Sequence, residues 1–213
     1  MKLLLTAFDP FGGETVNPAQ QAVEAVADRV GEVEIVKLVV PTVFGRSIDV
    51  VAEAIEKHSP DAVLCIGQAG GRPDLTPERI AINMDDARIP DNEGNRPVDE
   101  PIRKDGQAAY FSTLPVKAMV EAIRAAGIPA SLSNTAGTFV CNHLMYGVLY
   151  TLEKKYPGVR GGFMHVPFLP SQVQDGRQYP SMSRESIVRG IEAAVRAIGE
   201  YDSDVHTPEG KTH

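Results

Sequence analysis

Apolar runs of strand length alternate along this chain with segments whose apolar residues recur at helical spacing, and that alternation constrains the fold more than any other feature. Lys2 to Phe8, Val33 to Val40, Ala62 to Ile66 and Gly162 to Val166 read as strands, with a further one near Ala130 to Ser133. Helical periodicity covers about Pro18 to Val30, Ser47 to His58, Pro115 to Ala126, Cys141 to Tyr156 and Ser183 to Ile198. Strands separated by helices pair in parallel through right-handed crossovers. The expected fold is α/β: a three-layer α/β/α sandwich with a twisted, mostly parallel central sheet. Such sheets bind ligands beyond the carboxyl ends of their strands. The loops after Phe8, Ile66, Ser133 and Val166 are therefore the places to look for a site.

A chain of 213 residues buries roughly 70% of its unfolded surface as one unit, so residues 1–198 are expected to form a single domain. The tail, 199–213, is polar, carries Pro208 and Gly210, and has no apolar face to dock; disorder is expected there. The formal net charge of -7, without any Lys/Arg cluster, removes the electrostatic basis for nucleic-acid binding. No apolar run approaches the ~20 residues of a membrane helix. The N-terminus has one Lys and a short apolar run before Asp9 and Pro10, which is no secretory signal. A cytoplasmic protein without membrane contact is expected.

Two cysteines cannot build a disulfide framework and lack the paired spacing of zinc sites, so no metal is expected. Cys65 lies inside the run Ala62 to Ile66 and reads as a small core residue. Cys141 follows the small-residue turn from Ser133 to Val140 and opens a helix. There the helix dipole and free N–H groups would lower a thiol pKa from ~8.5 and hold an oxyanion; the plainer alternative is a buried small hydrophobe. A cysteine nucleophile needs a base. His165 stands at a strand end before the loop Pro167 to Gln172, a place equally suited to a base and to a histidine bonded to a backbone carbonyl. His143 is two residues past Cys141 on the same helix, points away from it, and reads as a surface or packing residue.

Glu78, where an irregular loop enters the run Ile80 to Asn83, suits either an imidazole-orienting carboxylate or a solvated one. Gly67-Gln68-Ala69-Gly70-Gly71 and Phe8-Asp9-Pro10-Phe11-Gly12-Gly13 match neither a P-loop nor a dinucleotide fingerprint, and tight turns account for their glycines. Phe8 and Phe11 are either a wall for a small amide-bearing ligand or core rings. The stretch 85–101, dense in Asp, Asn, Gly and Pro, is long enough to be functional.

Taken together, four separated segments resemble the pyrrolidone carboxyl peptidases, also called pyroglutamyl peptidase type I. They are Gly67 to Asn83, with Leu75-Thr76, Glu78-Arg79, Ala81 and Asn83; Ile128 to Asn142, with Ser133 to Cys141; the opening Phe8 to Gly13; and Phe163-Met164-His165-Val166-Pro167. No triad position departs from the pattern, and only the tail lies outside it. The resemblance implies Cys141 as nucleophile, His165 as base and Glu78 as orienter. It implies a pyrrolidone pocket formed by Phe8, Phe11, Ile89, Phe139 and Val140 with Asn17 and Gln68 nearby, and Arg88 beside the oxyanion site. It further implies hydrolysis after an N-terminal L-pyroglutamate of peptides through a thioester, with no metal or cofactor, in a homotetramer. A flat, uncharged lactam suits an apolar aromatic slot. Two rival readings remain: a phosphorylase or nucleosidase with anion-binding glycine loops, and a catalytically silent binder of such peptides.

Overall fold

The computed structural model describes residues 1–174 and 178–210. In chain order it comprises β1 (Lys2–Phe8), α1 (Pro18–Ala25), β2 (Arg29–Val30), β3 (Val33–Val40), α2 (Arg46–His58), β4 (Ala62–Gln68), β5 (Thr76–Glu78), β6 (Ile80–Ile82), β7 (Ala109–Phe111), α3 (Val116–Ala125), α4 (Val140–Lys155), β8 (Arg160–Val166) and α5 (Arg184–Glu200). Six strands form one sheet in the order β2-β3-β1-β4-β8-β5, and β6 pairs with β7 apart from it. The four inner strands are parallel, while β2 and β5 run antiparallel at the two edges.

The nearly unbroken apolarity of β1, β4 and β8 follows from cover on both faces. Leu3, Leu5, Leu64, Ile66, Met164 and Val166 pack with α1, α3 and α5. Leu4, Phe8, Val63, Cys65 and Phe163 pack with α2 and α4 on the opposite face. Full burial of such side chains stabilises by roughly 1.5–3 kcal/mol each, which makes the sheet a rigid platform. The three-layer sandwich read from the sequence is the one observed. The chain passes from β1 out to β3, then returns to β4 on the other side of β1, leaving a crevice between the carboxyl ends of β1 and β4.

Three local expectations differ from the structure. The first helix ends at Ala25, not near Val30, because Val26 is extended (φ -58°, ψ 142°) and Val30 pairs with Val33. Val26 and Val30 are buried in either arrangement, so periodicity carried past the true end. Ala130 to Ser133 forms no ladder but only two bridges, Leu75 to Ala130 and Glu78 to Ser133, along the edge strand β5.

The tail is not loose over residues 201–210. Pro115, the residue before α3, has no side chain to cap it, and the Asp204 carboxylate from the tail does so instead, accepting from the N–H groups of Lys117 and Ala118, both at 3.0 Å. A negative group at a helix N-terminus is favoured by the dipole. Lys117 Nζ donates to the Thr207 carbonyl at 2.6 Å, Arg124 pairs with Glu209 at 2.6 Å, and Val205 packs on the core. Polar tails dock through such bonds, which an apolar pattern cannot reveal. Residues 211–213 lie outside the described residues.

Candidate active site

Glu78 is the last residue of β5, and Thr76, two residues before it, is the Cα partner of His165 on β8. The two side chains are thus diagonal neighbours on one face of the sheet. His165 Nδ1 and Glu78 Oε1 lie 2.6 Å apart, with exposures of 4% and 0% for their side chains. An ionised carboxylate only accepts, so Nδ1 donates to it. His165 Nε2 makes no hydrogen bond with any described residue. Of the two sequence readings of Glu78, solvated or orienting, the structure excludes the solvated one.

Cys141 is the second residue of α4, which lies over the same face. A Cβ built on Gly67 would meet Cys141 Sγ at 2.9 Å and the Phe163 ring at 2.7 Å. Gly67 is in turn the register partner of His165 on the neighbouring strand, about 4.8 Å away. The sulfur therefore rests on β4 over the register neighbour of His165. The sequence reading assigned Gly67 to a tight turn, but its φ is not positive, and the missing Cβ makes room for the sulfur. Gly12, Gly13 and Gly71 do have positive φ and fit the turn explanation.

The thiol's state also differs from the expected one. Burial, then the Glu78 carboxylate, push the Cys141 thiol up to about 12, with Arg72 pulling the other way. The helix N-terminus does not offset this, so the resting sulfur carries its proton. Cys65 is fully buried, and burial pushes its thiol up to about 12 as well, in keeping with a core role. Burial also pushes the Glu78 carboxyl up, but the His165 hydrogen bond and the charges of His165 and Arg72 outweigh it and hold the carboxyl below its ordinary value.

Two residues at the site were not found from sequence. Arg72 donates from Nη1 to Glu78 Oε1 (2.6 Å) and Thr76 Oγ1 (2.7 Å), and from Nη2 to the Thr135 carbonyl (2.9 Å). Asn142 is buried and bonds the Ile82 N–H and the Ile82 and Met84 carbonyls, fixing the start of α4 against the segment that leads to Arg88. Each stands one or two positions from a motif residue, but neither spacing announces a partner.

The pocket residues fall into three groups. Phe8 and Val140 are buried in the core, where Phe8 meets Phe163 (6.3 Å between centroids), whose ring lies 4.9 Å from that of His165. Phe11 and Phe139 are half-buried and face each other at 6.0 Å, and a Cβ on Gly12 would touch Ile89 at 3.9 Å. The polar pair is already engaged. Asn17 caps α1 by accepting from Ala19 N–H and donates to the Asp9 carbonyl, and Gln68 Oε1 accepts from Gln172. Arg88 is exposed and makes no ion pair with the triad residues. Among the described residues, no group of three or more His, Cys, Asp and Glu side chains is placed to hold a metal ion.

A family model described as pyroglutamyl peptidase matches residues 1–201. Pyrrolidone-carboxylate peptidases of Streptococcus suis and Streptococcus pyogenes are each 59% identical to this chain over 215 residues, spanning all of both chains. Among solved structures, pyroglutamyl peptidase I from Bacillus amyloliquefaciens superposes with a TM-score of 0.95 at 50% identity, covering 97% of this chain and 99% of that one. The pyrrolidone carboxyl peptidase from Thermococcus litoralis does so with 0.93 at 36% identity, again over 97% and 99%.

Proposed function

The chain belongs to the pyroglutamyl peptidase family, and from that premise we propose that Cys141, His165 and Glu78 form the triad with which it removes N-terminal L-pyroglutamate from peptides. The observation that carries the assignment is the Cys141 sulfur seated on Gly67, the register partner of a buried histidine whose Nε2 bonds no described residue and whose Nδ1 is held by a buried carboxylate.

As the sulfur attacks the carbonyl joining pyroglutamate to the next residue, His165 Nε2 takes the thiol proton, and Glu78 stabilises the imidazolium. The oxyanion develops over the start of α4, whose N-cap residue Phe139 has no side-chain bond to the first-turn N–H groups. Arg88, on the segment tied to that helix by the Thr138 and Asp86 bonds, supplies further positive charge. The imidazolium then protonates the leaving amine, leaving a thioester on Cys141. Water, deprotonated by His165, attacks the thioester, and free pyroglutamate departs as the thiol regains its proton.

The lactam ring sits between Phe11, Phe139 and Ile89, with Phe8 and Val140 as the floor and Gln68 at its amide edge. Asn17 acts one step back, holding the loop that carries Phe11. The reading extends to a cytoplasmic homotetramer, supported by the family resemblance and by the exposed Val98 (61%) and Phe111 (64%), which assembly would cover. Among the described residues no helix is long and apolar enough to cross a membrane. Light scattering of the purified chain gives the subunit number directly.

The test is release of a fluorescent amine from its L-pyroglutamyl amide, with and without prior iodoacetamide. Thiol-sensitive turnover that is absent with prolyl and glutamyl amides is expected. No turnover under reducing conditions would overturn the reading.

A further inference from the structure

Glu78 has a second partner besides His165, and the two compete for one oxygen. Its Oε1 lies 2.6 Å from His165 Nδ1 and 2.6 Å from Arg72 Nη1, in a place where the carboxylate has no exposed surface. The same guanidinium reaches back to Thr76 Oγ1 on β5 and across to the Thr135 carbonyl, in the loop that leads to Cys141. Its side chain is only 28% exposed, so three elements of the site converge on one permanently charged, planar group.

We propose that Arg72 is a positioning residue for the reaction: it keeps Glu78 charged, sets the basicity of His165, and ties the nucleophile's loop to the triad's carboxylate. This rests on the peptidase reading given above. A carboxylate shared with a guanidinium attracts a proton to the imidazole less strongly than one left to the imidazole alone. His165 then remains able to accept the Cys141 proton. Among the described residues, the ionisable groups around it are Glu78 from β5, Arg72 from the preceding loop, Cys141 from α4 and, behind Cys141, Cys65 of β4, whose thiol burial keeps protonated. Of these, Arg72 alone is a permanent cation.

The experiment is the pH profile of kcat/KM on the fluorogenic pyroglutamyl amide for wild type, Arg72→Met and Arg72→Lys. The acid limb reports the free enzyme's need for neutral His165 and ionised Glu78. Loss of the cation favours a proton on both groups, so the limb of Arg72→Met moves to higher pH, by about one unit. The deficit of that variant then grows about tenfold from the plateau to pH values below both limbs. Arg72→Lys keeps the charge but not the fork, so its limb stays in place while its plateau falls, by less than about tenfold.

The rate of Cys141 alkylation by iodoacetamide, read over the same pH range, follows the same limb without any substrate. A failure of the peptidase reading would leave this second profile intact, so the two failures are distinguishable. Limbs of both variants coincident with wild type in the alkylation profile would overturn the proposal, whatever the height of the plateau. Arg72→Met can lose its fold, and in that case Arg72→Lys decides alone: a limb shifted as though the charge were absent refutes the assignment, and an unshifted limb over a lowered plateau supports it.

Discussion

Two buried histidines in this molecule each lean on a carboxylate, and only one of the pairs is equipped for chemistry. His165 and Glu78 meet at 2.6 Å; His143 and Asp85 meet at 2.7 Å on the same side of the sheet. His143 Nε2, however, accepts from the Gly45 N–H at 2.8 Å, and its ring packs edge-on against Phe44. Both its nitrogens are spent on holding the start of α2 to the loop after β6. Among the described residues nothing bonds His165 Nε2, and the Cys141 sulfur rests on its strand neighbour Gly67. A histidine and carboxylate in contact are therefore not a site; the unused nitrogen and its neighbour make the difference.

That contrast can be broken most sharply at the sulfur. Cys141→Ala is expected to reduce turnover by roughly four to six orders of magnitude while the melting curve stays close to wild type. Activity near wild type would remove Cys141 from the chemistry. His165→Ala belongs in the same range, because without a base the buried thiol keeps its proton.

Glu78→Gln comes next, with a loss of about two to four orders of magnitude in kcat, since an amide presents the wrong partner to Nδ1. It has a second readout. A carboxyl held below its ordinary 4.5 contributes stability that is present above 4.5 and lost as pH falls through the lower folded value. The Gln variant should therefore lose part of the wild type's acid sensitivity in denaturant titrations. Unchanged acid sensitivity would mean that Glu78 is not held ionised by the fold.

Gly67→Ala sharpens the comparison geometrically. Its Cβ displaces the sulfur or the Phe163 ring, and a shift of this size lowers kcat by about a hundredfold with a modest change in stability. Wild-type kcat in that variant would show that the sulfur's seat on β4 is immaterial.

The smallest effect on activity is expected at His143→Ala, within about tenfold. Its stability should fall by about 1–3 kcal/mol, because the Gly45 N–H and the Asp85 carboxylate lose their partner in a buried place. Equal losses of activity in the two histidine variants would erase the distinction between the pairs.

The sequence disclosed the sandwich because strand and helix periods survive in single segments: β1, β3 and α2 lie within two residues of where their patterns put them. It pointed to Cys141 through a turn followed by a helix, and to Cys141, His165 and Glu78 as a set only through family resemblance. Glu78 was hidden because a three-residue edge strand is too short to show a period. Gly67 was misread since a glycine needed for close approach looks in sequence like one needed for a turn. His143 read as surface or packing, and its 6% exposure settles which. Arg72 left no signal, because its three partners come together only in space.

The place of Glu78 on an edge strand has a consequence for how the protein ages and heats. The strand holds three residues, pairs on one side with β8 and on the other through only isolated bridges, and closes a contact between positions 87 residues apart. Segments of that kind open before the centre of a sheet does. Fraying there separates the carboxylate from its imidazole while far-UV dichroism and the central amide protons remain native. Loss of activity is therefore expected before melting when this chain is heated.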